Sequence, residues 1–203
     1  MTEHPPEIRQ RFDGSPEQLA TGQVADYPTQ GQPIVIIEYD AAWVDRFAAA
    51  GAGIRAALGD LVAGLEHVGS TSVPGLAAKP VIDIDLLIGD TADETRYVPA
   101  LEARGYRLVL REPWWQGHRM LVSAAGDVNL HVWPGDAQEP VRHRLFRDWL
   151  RAHAGDRELY AADKRRVARE TVDRPGDYSL AKSGVIDEIF ARIFATDGAA
   201  GRD

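Results

Sequence analysis

Eight residues, 81–88 (VIDIDLLI), place two carboxylates inside an otherwise aliphatic segment. Because successive side chains of a β-strand point to opposite faces, Asp83 and Asp85 share one face and the other face is aliphatic. Aspartate is disfavoured in strands unless a particular role requires it, so a solvated edge strand, the alternative, fits less well. The segment predicts a strand that packs its apolar face on a core and presents both carboxylates on the opposite side.

The spacing of the two aspartates predicts a metal site. Residues two apart in a strand have Cα atoms roughly 6.5–7 Å apart, so both carboxylates can reach one cation or a pair of cations. Like charges held this close repel each other unless they share a metal ion or a proton. Oxygen ligands of this kind suit Mg²⁺ or Mn²⁺. We therefore expect Asp83 and Asp85 to be catalytic residues and metal ligands.

A Gly-Ser turn at residues 67–72 (HVGSTS) lies shortly before this strand. Gly69 allows the backbone to approach a ligand closely, and Ser70 and Thr71 add hydroxyl and amide groups that can hold phosphate oxygens. The segment has neither a Walker ending nor a Gly-x-Gly-x-x-Gly pattern, and by itself it also fits an ordinary turn. Its position ahead of the acidic strand favours a phosphate-binding role for His67, Gly69, Ser70 and Thr71.

Composition restricts the class of protein. The 203 residues are 44% hydrophobic and 27% charged and include no cysteine, which is typical of a soluble chain of one domain, with or without a helical annex. No apolar run reaches the roughly 18 residues of a membrane-spanning helix. Residues 1–6 lack the pattern of a secretory signal, so we expect a cytoplasmic protein. The net charge of −8 argues against a protein that coats nucleic acid.

Hydrophobic periodicity divides the chain into four parts: a flexible N-terminal extension (1–33), an α/β core (34–138), C-terminal helices packed on the core (139–194) and a disordered tail (195–203). The predicted strands are 34–38, 65–68, 81–88, 106–110, 119–123 and 128–133. The predicted helices are 41–58, 91–104, 139–152, 157–170 and 178–194. This order predicts an α+β fold with a mixed sheet rather than a doubly wound parallel one.

Residues 66–84 (EHVGSTSVPGLAAKPVIDI) resemble the signature of the GrpB family, a branch of the nucleotidyltransferase superfamily. Later family-like segments are 129–132 (NLHV), 146–151 (FRDWLR) and 177–183 (DYSLAKS), and the resemblance extends over about residues 34–194. It implies a nucleotidyltransferase-like mixed β-sheet with flanking helices, followed by a C-terminal helical segment that closes over the nucleotide. The superfamily pattern of a Gly-Ser turn before an acid-x-acid strand matches the two segments described above.

One element of the superfamily pattern is missing. Superfamily enzymes usually supply a third carboxylate from a later strand. Here segment 128–133 carries Asn129 and His131 on one face, and Asp127 only precedes it. His131 would act there as a metal ligand or as a proton acceptor near neutral pH. A buried histidine that is hydrogen-bonded within the core fits the pattern equally well, so the number of bound metals stays open.

A nucleoside triphosphate also needs positive groups opposite the metal. The resemblance places phosphate-binding cations on the C-terminal helices. The candidates are two i,i+4 pairs of tyrosine and lysine and two single cations: Tyr160, Lys164, Tyr178, Lys182, Arg147 and Lys79. In each pair the aromatic ring would stack on a base or ribose while the lysine meets phosphate. Ordinary solvated helix faces are the alternative explanation for such residues.

These patterns lead to one hypothesis and three alternatives. The hypothesis is a Mg²⁺-dependent nucleotidyltransferase that moves a nucleoside monophosphate from a nucleoside triphosphate to a small-molecule acceptor. The loop 114–119 would line the acceptor pocket or pack within a hairpin. An adenylate-forming ligase that joins a carboxylate to an amine would use the same site. A non-catalytic nucleotide-binding accessory module is the third possibility, and the missing third carboxylate is its best support. The resemblance links such a module to coenzyme A metabolism, because the family's domain also occurs fused to dephospho-CoA kinase. A metal hydrolase fits less well, since no histidine pair has ligand spacing. The sequence predicts no oligomeric state.

Overall fold

The computed structural model describes residues 6–12 and 14–199, and within them five strands form one mixed sheet. The strands are β1 (Gly64–Val68), β2 (Ile82–Ile88), β3 (Tyr106–Glu112), β4 (His118–Ser123) and β5 (Val128–Pro134). Their order is β1-β2-β5-β4-β3, with β2 and β5 parallel and the other neighbours antiparallel. The expected α+β fold, with a mixed sheet, flanking helices and a C-terminal helical segment, is confirmed.

The described residues also form α-helices and short 3-10 turns. The helices are α1 (Pro6–Arg9), α2 (Pro16–Gly22), α3 (Ala42–Leu58), α4 (Val98–Glu102), α5 (Glu139–Ala152), α6 (Ala154–Glu170), α7 (Tyr178–Ala181) and α8 (Ser183–Ala199). The 3-10 turns are Gly59–Leu61, Ser70–Ser72, Glu94–Arg96 and Pro175–Asp177. None of these helices combines the length and the apolar character that crossing a membrane requires.

The aliphatic face of β2 is buried in the main hydrophobic core, as the alternation along the strand predicts. Ile82, Ile84 and Leu86 are fully buried, and they pack in one cluster with α3 and α4. Burying such a side chain contributes about 1.5–3 kcal/mol. A slip of one residue would turn the aspartates into this core, so the burial fixes the register of β2. Asp83 and Asp85 consequently lie on the opposite face.

The C-terminal helices and part of the N-terminal segment cover the carboxylate face. One hydrophobic cluster joins α5, α6 and α8 to Val73 and Leu76, which follow the Gly-Ser turn. Another, smaller cluster packs Ala25 and Tyr27 on β3 and β4. The polar groups of β2 and β5 therefore lie between the sheet and the C-terminal helices.

Two predicted elements in the first half of the chain are wrong. Residues 34–38 do not form a strand; the chain there makes a single antiparallel bridge, from Ile37 to Ala78. The predicted helix 91–104 is reduced to a 3-10 turn and the short α4. Pro99 explains this break, because proline lacks an N–H and its ring clashes with the carbonyl one turn back.

The last predicted helix and the tail also differ from the structure. Segment 178–194 is divided into α7 and α8 at Lys182, whose N–H bonds to the carbonyl of Leu180 in a tighter turn. Helix α8 continues to Ala199, so it enters the predicted tail 195–203. The last four residues lie outside the described part of the chain.

The chain before residue 34, for which we expect a flexible extension, contains α1 and α2. Ile8 of α1 is buried, and its carbonyl accepts a hydrogen bond from Arg142 of α5. A β-bridge links the segment after α2 to β3. Residues 1–5 and 13 lie outside the described part of the chain, and the division into domains stays a prediction.

Candidate functional site

The turn after β1 and the first aspartate of β2 pack directly against each other. Gly69 has φ 68° and ψ −173°, a conformation that residues with side chains rarely adopt. A Cβ atom on Gly69 would lie 2.2 Å from Oδ2 of Asp83 and 2.9 Å from its Cβ. Glycine at this position is therefore what allows the Asp83 carboxylate to lie against the turn.

Replacing Gly69 by alanine is expected to lower the free energy of unfolding by about 2 kcal/mol more than replacing Gly75 by alanine. Gly75 is the matched control because its φ is also positive, 78°, but open space surrounds its Cβ position. Both alanines strain the backbone, and only the one at position 69 displaces Asp83. Denaturant unfolding measures the difference; equal losses would contradict the tight contact.

His67, Thr71 and Ser72 fix the shape of this turn. The Thr71 hydroxyl donates to the carbonyl of Val81 and accepts from Nε2 of His67, both at 3.1 Å. The Ser72 hydroxyl donates to the carbonyl of Gly69 at 2.6 Å. Burial, reinforced by nearby arginines, lowers the pKa of His67 to about 4, so its ring is neutral at pH 7. The structure thus engages His67 and Thr71, two predicted phosphate ligands, in positioning the turn.

Two arginines hold α5 on the turn. Arg147 donates to Oε2 of Glu66 and to the carbonyl of His67, both at 2.9 Å. Arg151 donates to the carbonyl of Ser72 at 2.7 Å. Arg147 is also paired with the carboxylate of the following residue. The guanidinium of Arg147, predicted to bind phosphate, is therefore already engaged by protein groups.

Asp83 and Asp85 share one face of β2, as the alternation predicts, but they have different partners. Asn129, the neighbour of Asp83 on β5, donates from Nδ2 to Oδ1 of Asp83 at 2.8 Å. Asp83 is half-buried, and within the described residues its Oδ2 has no hydrogen-bond donor. Asp83 therefore keeps one carboxylate oxygen available to a ligand.

Asp85 is 1% exposed, and both of its oxygens are engaged. Trp133 Nε1 donates to Oδ1 at 3.0 Å, and Nδ1 of His143 lies 2.9 Å from Oδ2 and 3.1 Å from Oδ1. Burial alone would raise the pKa of Asp85, but the charge and hydrogen bond of His143 lower it below its usual value. Burial also disfavours charge on His143, yet Asp85 raises the pKa of His143 to about 9. The two side chains form an ion pair at pH 7.

The sequence patterns do not reveal His143, although it binds a predicted catalytic residue. His143 and Asp85 are 58 positions apart in the sequence, and local periodicity does not indicate contacts between such distant residues. A local signal does exist: Glu139, His143 and Arg147 recur every four residues and share one face of α5. Nε2 of His143 lies 3.8 Å from Oε1 of Glu139. The sequence therefore predicts a charged face on α5, but it does not indicate that this face contacts Asp85.

His131 lies beside Asp85 on β5 and is half-buried. Its Nδ1 lies 3.0 Å from Nε2 of His118, and Nδ1 of His118 lies 2.7 Å from Oε2 of Glu112. Burial lowers the pKa of His131, and the nearby aspartates offset this only in part, so the ring is neutral at pH 7. The ring centroids of His131 and His143 are 6.0 Å apart. The site therefore holds a neutral and a charged histidine side by side.

Lys79, Lys164 and Lys182 form one cluster near Asp83. Burial lowers the pKa of Lys79, and it lowers that of Lys164 to about 7. The charge of Lys182 lowers the pKa of both, whereas Asp83 acts in the opposite direction on both. Within the described residues none of the three ammonium groups forms an ion pair with Asp83. Lys79 and Lys164 thus interact with the Asp83 carboxylate without direct contact, and Lys182 interacts with these two lysines.

The two predicted tyrosine–lysine pairs are in contact. Nζ of Lys164 lies 4.6 Å from the ring centroid of Tyr160, and Nζ of Lys182 lies 4.5 Å from that of Tyr178. Both tyrosines are buried, and Lys164 also donates to the carbonyl of Ala77. Cation–π contacts of this kind hold an ammonium group in place. The tyrosine rings therefore position the lysines, which differs from the expected stacking on a base.

The lysine content of the chain makes this cluster distinctive. The sequence contains 20 arginines and three lysines, and all three lysines belong to the cluster near Asp83. The two residue types are not interchangeable, because an ammonium group is a compact, strongly hydrated point charge and a guanidinium is a planar fork. The three positions of this cluster therefore carry lysine, whereas every basic residue of the sequence outside positions 79, 164 and 182 is arginine or histidine.

The family model of the GrpB protein matches residues 33–192, which include the turn, the acidic strand and all three lysines. The chain belongs to the GrpB family. A UPF0157 protein of Halalkalibacterium halodurans is 44% identical over 180 residues, which cover 89% of this chain and 92% of that protein. A UPF0157 protein of Streptomyces coelicolor is 44% identical over 162 residues, which cover 80% and 85%.

A solved member of the family has the same fold as this GrpB protein. The crystal structure of the conserved protein GrpB from Enterococcus faecalis matches with a TM-score of 0.73 and 28% identity, over 80% of this chain and 98% of that chain. The Cid1 poly(U) polymerase matches with a TM-score of 0.41 and 12% identity, a similarity too low to bear on function. The names of the relatives describe no activity, so membership in the family defines the fold and not the reaction.

A cavity of about 820 Å³ opens at the Gly-Ser turn of this GrpB protein. Gly69 and Ser70 line one end, together with His143 and Arg147 of α5. The apolar part of the wall comes from the N-terminal segment, the β3–β4 loop and the C-terminal helices: Phe12, Leu19, Trp115, Phe146, Leu150, Tyr160 and Phe190. Charged side chains also line the cavity: Arg11, Glu112, Glu139 and Arg142. The volume lies within the range of small-molecule sites, and the polar end adjoins Asp83.

The two aspartates of β2 fit a magnesium or manganese ion only in part. No group of three or more histidine and carboxylate side chains that could hold a metal occurs among the residues the structure describes. Mg²⁺, however, often takes only one or two protein carboxylates and completes its shell with phosphate oxygens and water. Asp83 meets this requirement through Oδ2, whereas Asp85 would first have to release His143.

Proposed function

We propose that this GrpB protein is a nucleotidyltransferase that binds a nucleoside triphosphate at the Gly-Ser turn and transfers the nucleoside monophosphate to a small-molecule acceptor. The convergence of all three lysines near Asp83 carries the proposal. A metal-bound polyphosphate needs a carboxylate for the metal and nearby cations for the phosphates. The carboxylate and the cations must therefore lie close together without contacting each other. The lysines would bind the phosphate oxygens, and the carboxylate would hold the metal.

The residues of the turn and the lysine cluster bind the polyphosphate. The exposed backbone of Gly69 and the hydroxyl of Ser70 donate to phosphate oxygens. Lys79 and Lys182 neutralise the charge that develops on the leaving pyrophosphate. Asp83 would hold a Mg²⁺ or Mn²⁺ ion, and the ion would withdraw charge from the phosphate oxygens.

The chemical step forms one bond and breaks one. A nucleophilic atom of the acceptor bonds to the α-phosphorus, and the bond from the α-phosphorus to the bridging oxygen breaks, which releases pyrophosphate. The acceptor loses a proton to His131, whose neutral ring lies next to Asp85 on the site face of the sheet. His143 stays protonated and supplies positive charge at the polar end of the cavity.

The acceptor occupies the apolar part of the cavity. Its wall is built largely from aromatic and aliphatic side chains, among them Trp115 of the loop 114–119. Such a wall favours a small molecule with an apolar body, because burial of apolar surface then contributes about 25 cal/mol per Å². The nucleophilic group of that molecule points toward Gly69 and Asp83.

Replacing Lys79 by glutamine is expected to weaken the binding of a nucleoside triphosphate about 10-fold or more, because a charge-assisted contact to phosphate is lost. Titration calorimetry with ATP, GTP, CTP and UTP in the presence of Mg²⁺ measures the affinity. Arg169→Gln is the matched control, since Arg169 is exposed on α6 and lies outside the lysine cluster. Equal affinities for the Lys79 variant and the wild-type protein would contradict the phosphate-binding role.

Release of pyrophosphate, measured with each nucleotide and a panel of small acceptors, tests the reaction itself. Binding without turnover would favour the second candidate, a nucleotide-binding module without catalysis. The engagement of both Asp85 oxygens by Trp133 and His143 is the observation that supports this candidate. Hydroxylamine in the same assay distinguishes a ligase, because an acyl-adenylate would be trapped as a hydroxamate. No binding of any nucleotide would overturn the proposed function.

A further inference from the structure

We propose that Glu112 and His118 are positioning residues that hold His131 in the tautomer with a protonated Nδ1 and an unprotonated Nε2. The three side chains form a hydrogen-bonded chain that runs from the β3–β4 hairpin to β5. Each of the two hydrogen bonds that link these three side chains contains one proton. His131 is thereby fixed as a proton acceptor at the carboxylate face of the sheet.

The hydrogen-bonded chain is short and buried. Oε2 of Glu112 lies 2.7 Å from Nδ1 of His118, and Nε2 of His118 lies 3.0 Å from Nδ1 of His131. Glu112 is 6% exposed and His118 is 1% exposed. His118 is closed to water, whereas Glu112 also lines the cavity at the Gly-Ser turn. Each hydrogen bond contains one hydrogen between its two heavy atoms.

The protonation state of Glu112 determines which atom donates in each of these hydrogen bonds. Burial raises the pKa of Glu112 above its usual value. With Glu112 ionised, its carboxylate can only accept, so Nδ1 of His118 carries the proton of the first hydrogen bond. A neutral imidazole carries one ring proton, and burial lowers the pKa of His118 well below its usual value, so Nε2 of His118 must accept. Nδ1 of His131 then donates, and Nε2 of His131, whose ring is also neutral, keeps a lone pair. A protonated Glu112 would reverse each of these assignments.

The surroundings keep the ring of His118 from turning. It stacks on the indole of Trp133, with ring centroids 4.1 Å apart, and meets Trp115 edge-on at 4.9 Å. The orientation of His118 is therefore fixed by packing as well as by its hydrogen bonds.

The other ring nitrogen of His131, Nε2, belongs to a side chain on the carboxylate face of the sheet. Within the described residues Nε2 of His131 has no hydrogen-bond partner, whereas Nδ1 has His118. His131 is the parallel neighbour of Asp85 and stands two residues after Asn129, the partner of Asp83. The catalytic consequence rests on the proposed function: an unprotonated Nε2 can take the proton of the acceptor, and the opposite tautomer cannot.

The test reads the tautomer directly from the nitrogen chemical shifts of the full-length protein labelled with ¹⁵N-histidine. In the wild-type protein at pH 7.5 we expect a pyrrole-type signal for Nδ1 and a pyridine-type signal for Nε2 of both His118 and His131. A pyrrole-type Nε2 on His131 would overturn the proposal, and this measurement needs no variant.

Glu112→Gln tests the cause of the tautomer. The amide has no charge to hold the proton on Nδ1 of His118, so the shifts of both histidines are expected to move toward a mixture of tautomers. Glu102→Gln, an exposed substitution at the end of α4, is the matched control and should change neither. Unchanged tautomers in the Glu112 variant would overturn the role of Glu112.

A kinetic measurement distinguishes a failure of this inference from a failure of the proposed function. Glu112→Gln is expected to lower kcat about 10-fold or more and to leave the nucleotide affinity unchanged, because positioning of a base affects the proton transfer alone. A changed tautomer with unchanged kcat would overturn the positioning role. Absence of turnover in the wild-type protein would overturn the proposed function, while the nitrogen shifts would still decide the tautomer.

Discussion

Replacing Asp83 by asparagine is expected to lower the rate of pyrophosphate release by at least about 10³-fold and to leave the fold intact. Asparagine has the same shape and can still accept the hydrogen bond from Asn129, so the packing against Gly69 is kept. The variant loses the negative charge that acts on the lysine cluster and that would hold a metal ion. A loss of this size corresponds to about 4 kcal/mol of transition-state stabilisation.

Asp60→Asn is the matched control for this variant, because Asp60 is exposed in the 3-10 turn Gly59–Leu61. Thermal unfolding of both variants separates a loss of activity from a loss of fold. Calorimetry with Mg²⁺ and a nucleoside triphosphate shows in addition whether the Asp83 substitution affects binding or only the transfer step. Full activity in Asp83→Asn would contradict the role assigned to this carboxylate.

Replacing His143 by glutamine is expected to destabilise the protein by about 2–3 kcal/mol near pH 6. Asp85 is 1% exposed and relies on the positive charge of His143, which is the cation bonded to it. Glutamine keeps a donor but removes the charge, so a buried carboxylate is left uncompensated. The effect is smaller than for a fully buried pair, because the side chain of His143 is 28% exposed.

The destabilisation caused by His143→Gln should shrink as the pH rises. The pKa of His143 is raised from 6.5 to about 9 in the folded protein, so its contribution to stability is fully present below pH 6.5 and is lost as the pH rises through 9. The pKa of Asp85 is lowered from 3.8, so its contribution is present above pH 3.8 and is lost as the pH falls through the folded value. The ion pair therefore stabilises most between about pH 4 and pH 6.5.

Denaturant unfolding of the wild-type protein and of His143→Gln, at several pH values from 6 to 10, measures this dependence. Asp85→Asn and the double variant complete a cycle that isolates the energy of the pair. A difference between wild-type and His143→Gln that is constant over this pH range would contradict the ion pair. So would single variants whose effects simply add.

The acidic strand and its turn are predictable from sequence because their determinants are local. Alternation along β2 buries Ile84 and places Asp83 and Asp85 together, and the chain needs glycine at position 69 because nothing larger fits against Asp83. The neighbouring strand β5 is also predictable from sequence, because Asn129 and His131 share one face and lie beside Asp83 and Asp85 of β2.

The rest of the site depends on contacts between distant segments, and periodicity does not report them. His143 contacts Asp85 from a helix 58 positions away, and Glu112 is linked to His131 by hydrogen bonds only through His118. The segment 34–38 has the composition of a strand, but it makes a single bridge, to Ala78, and does not join the five-stranded sheet. Tertiary packing decides each of these cases.

The most direct test of the account is a crystal structure of the full-length protein with Mn²⁺ and a triphosphate analogue whose α,β-bridge cannot be cleaved. We expect the phosphates to lie between the backbone of Gly69 and the ammonium groups of Lys79 and Lys182, and the anomalous signal of manganese to lie within bonding distance of Asp83. Phosphates bound away from the lysine cluster, or a metal held by residues other than Asp83, would contradict the account.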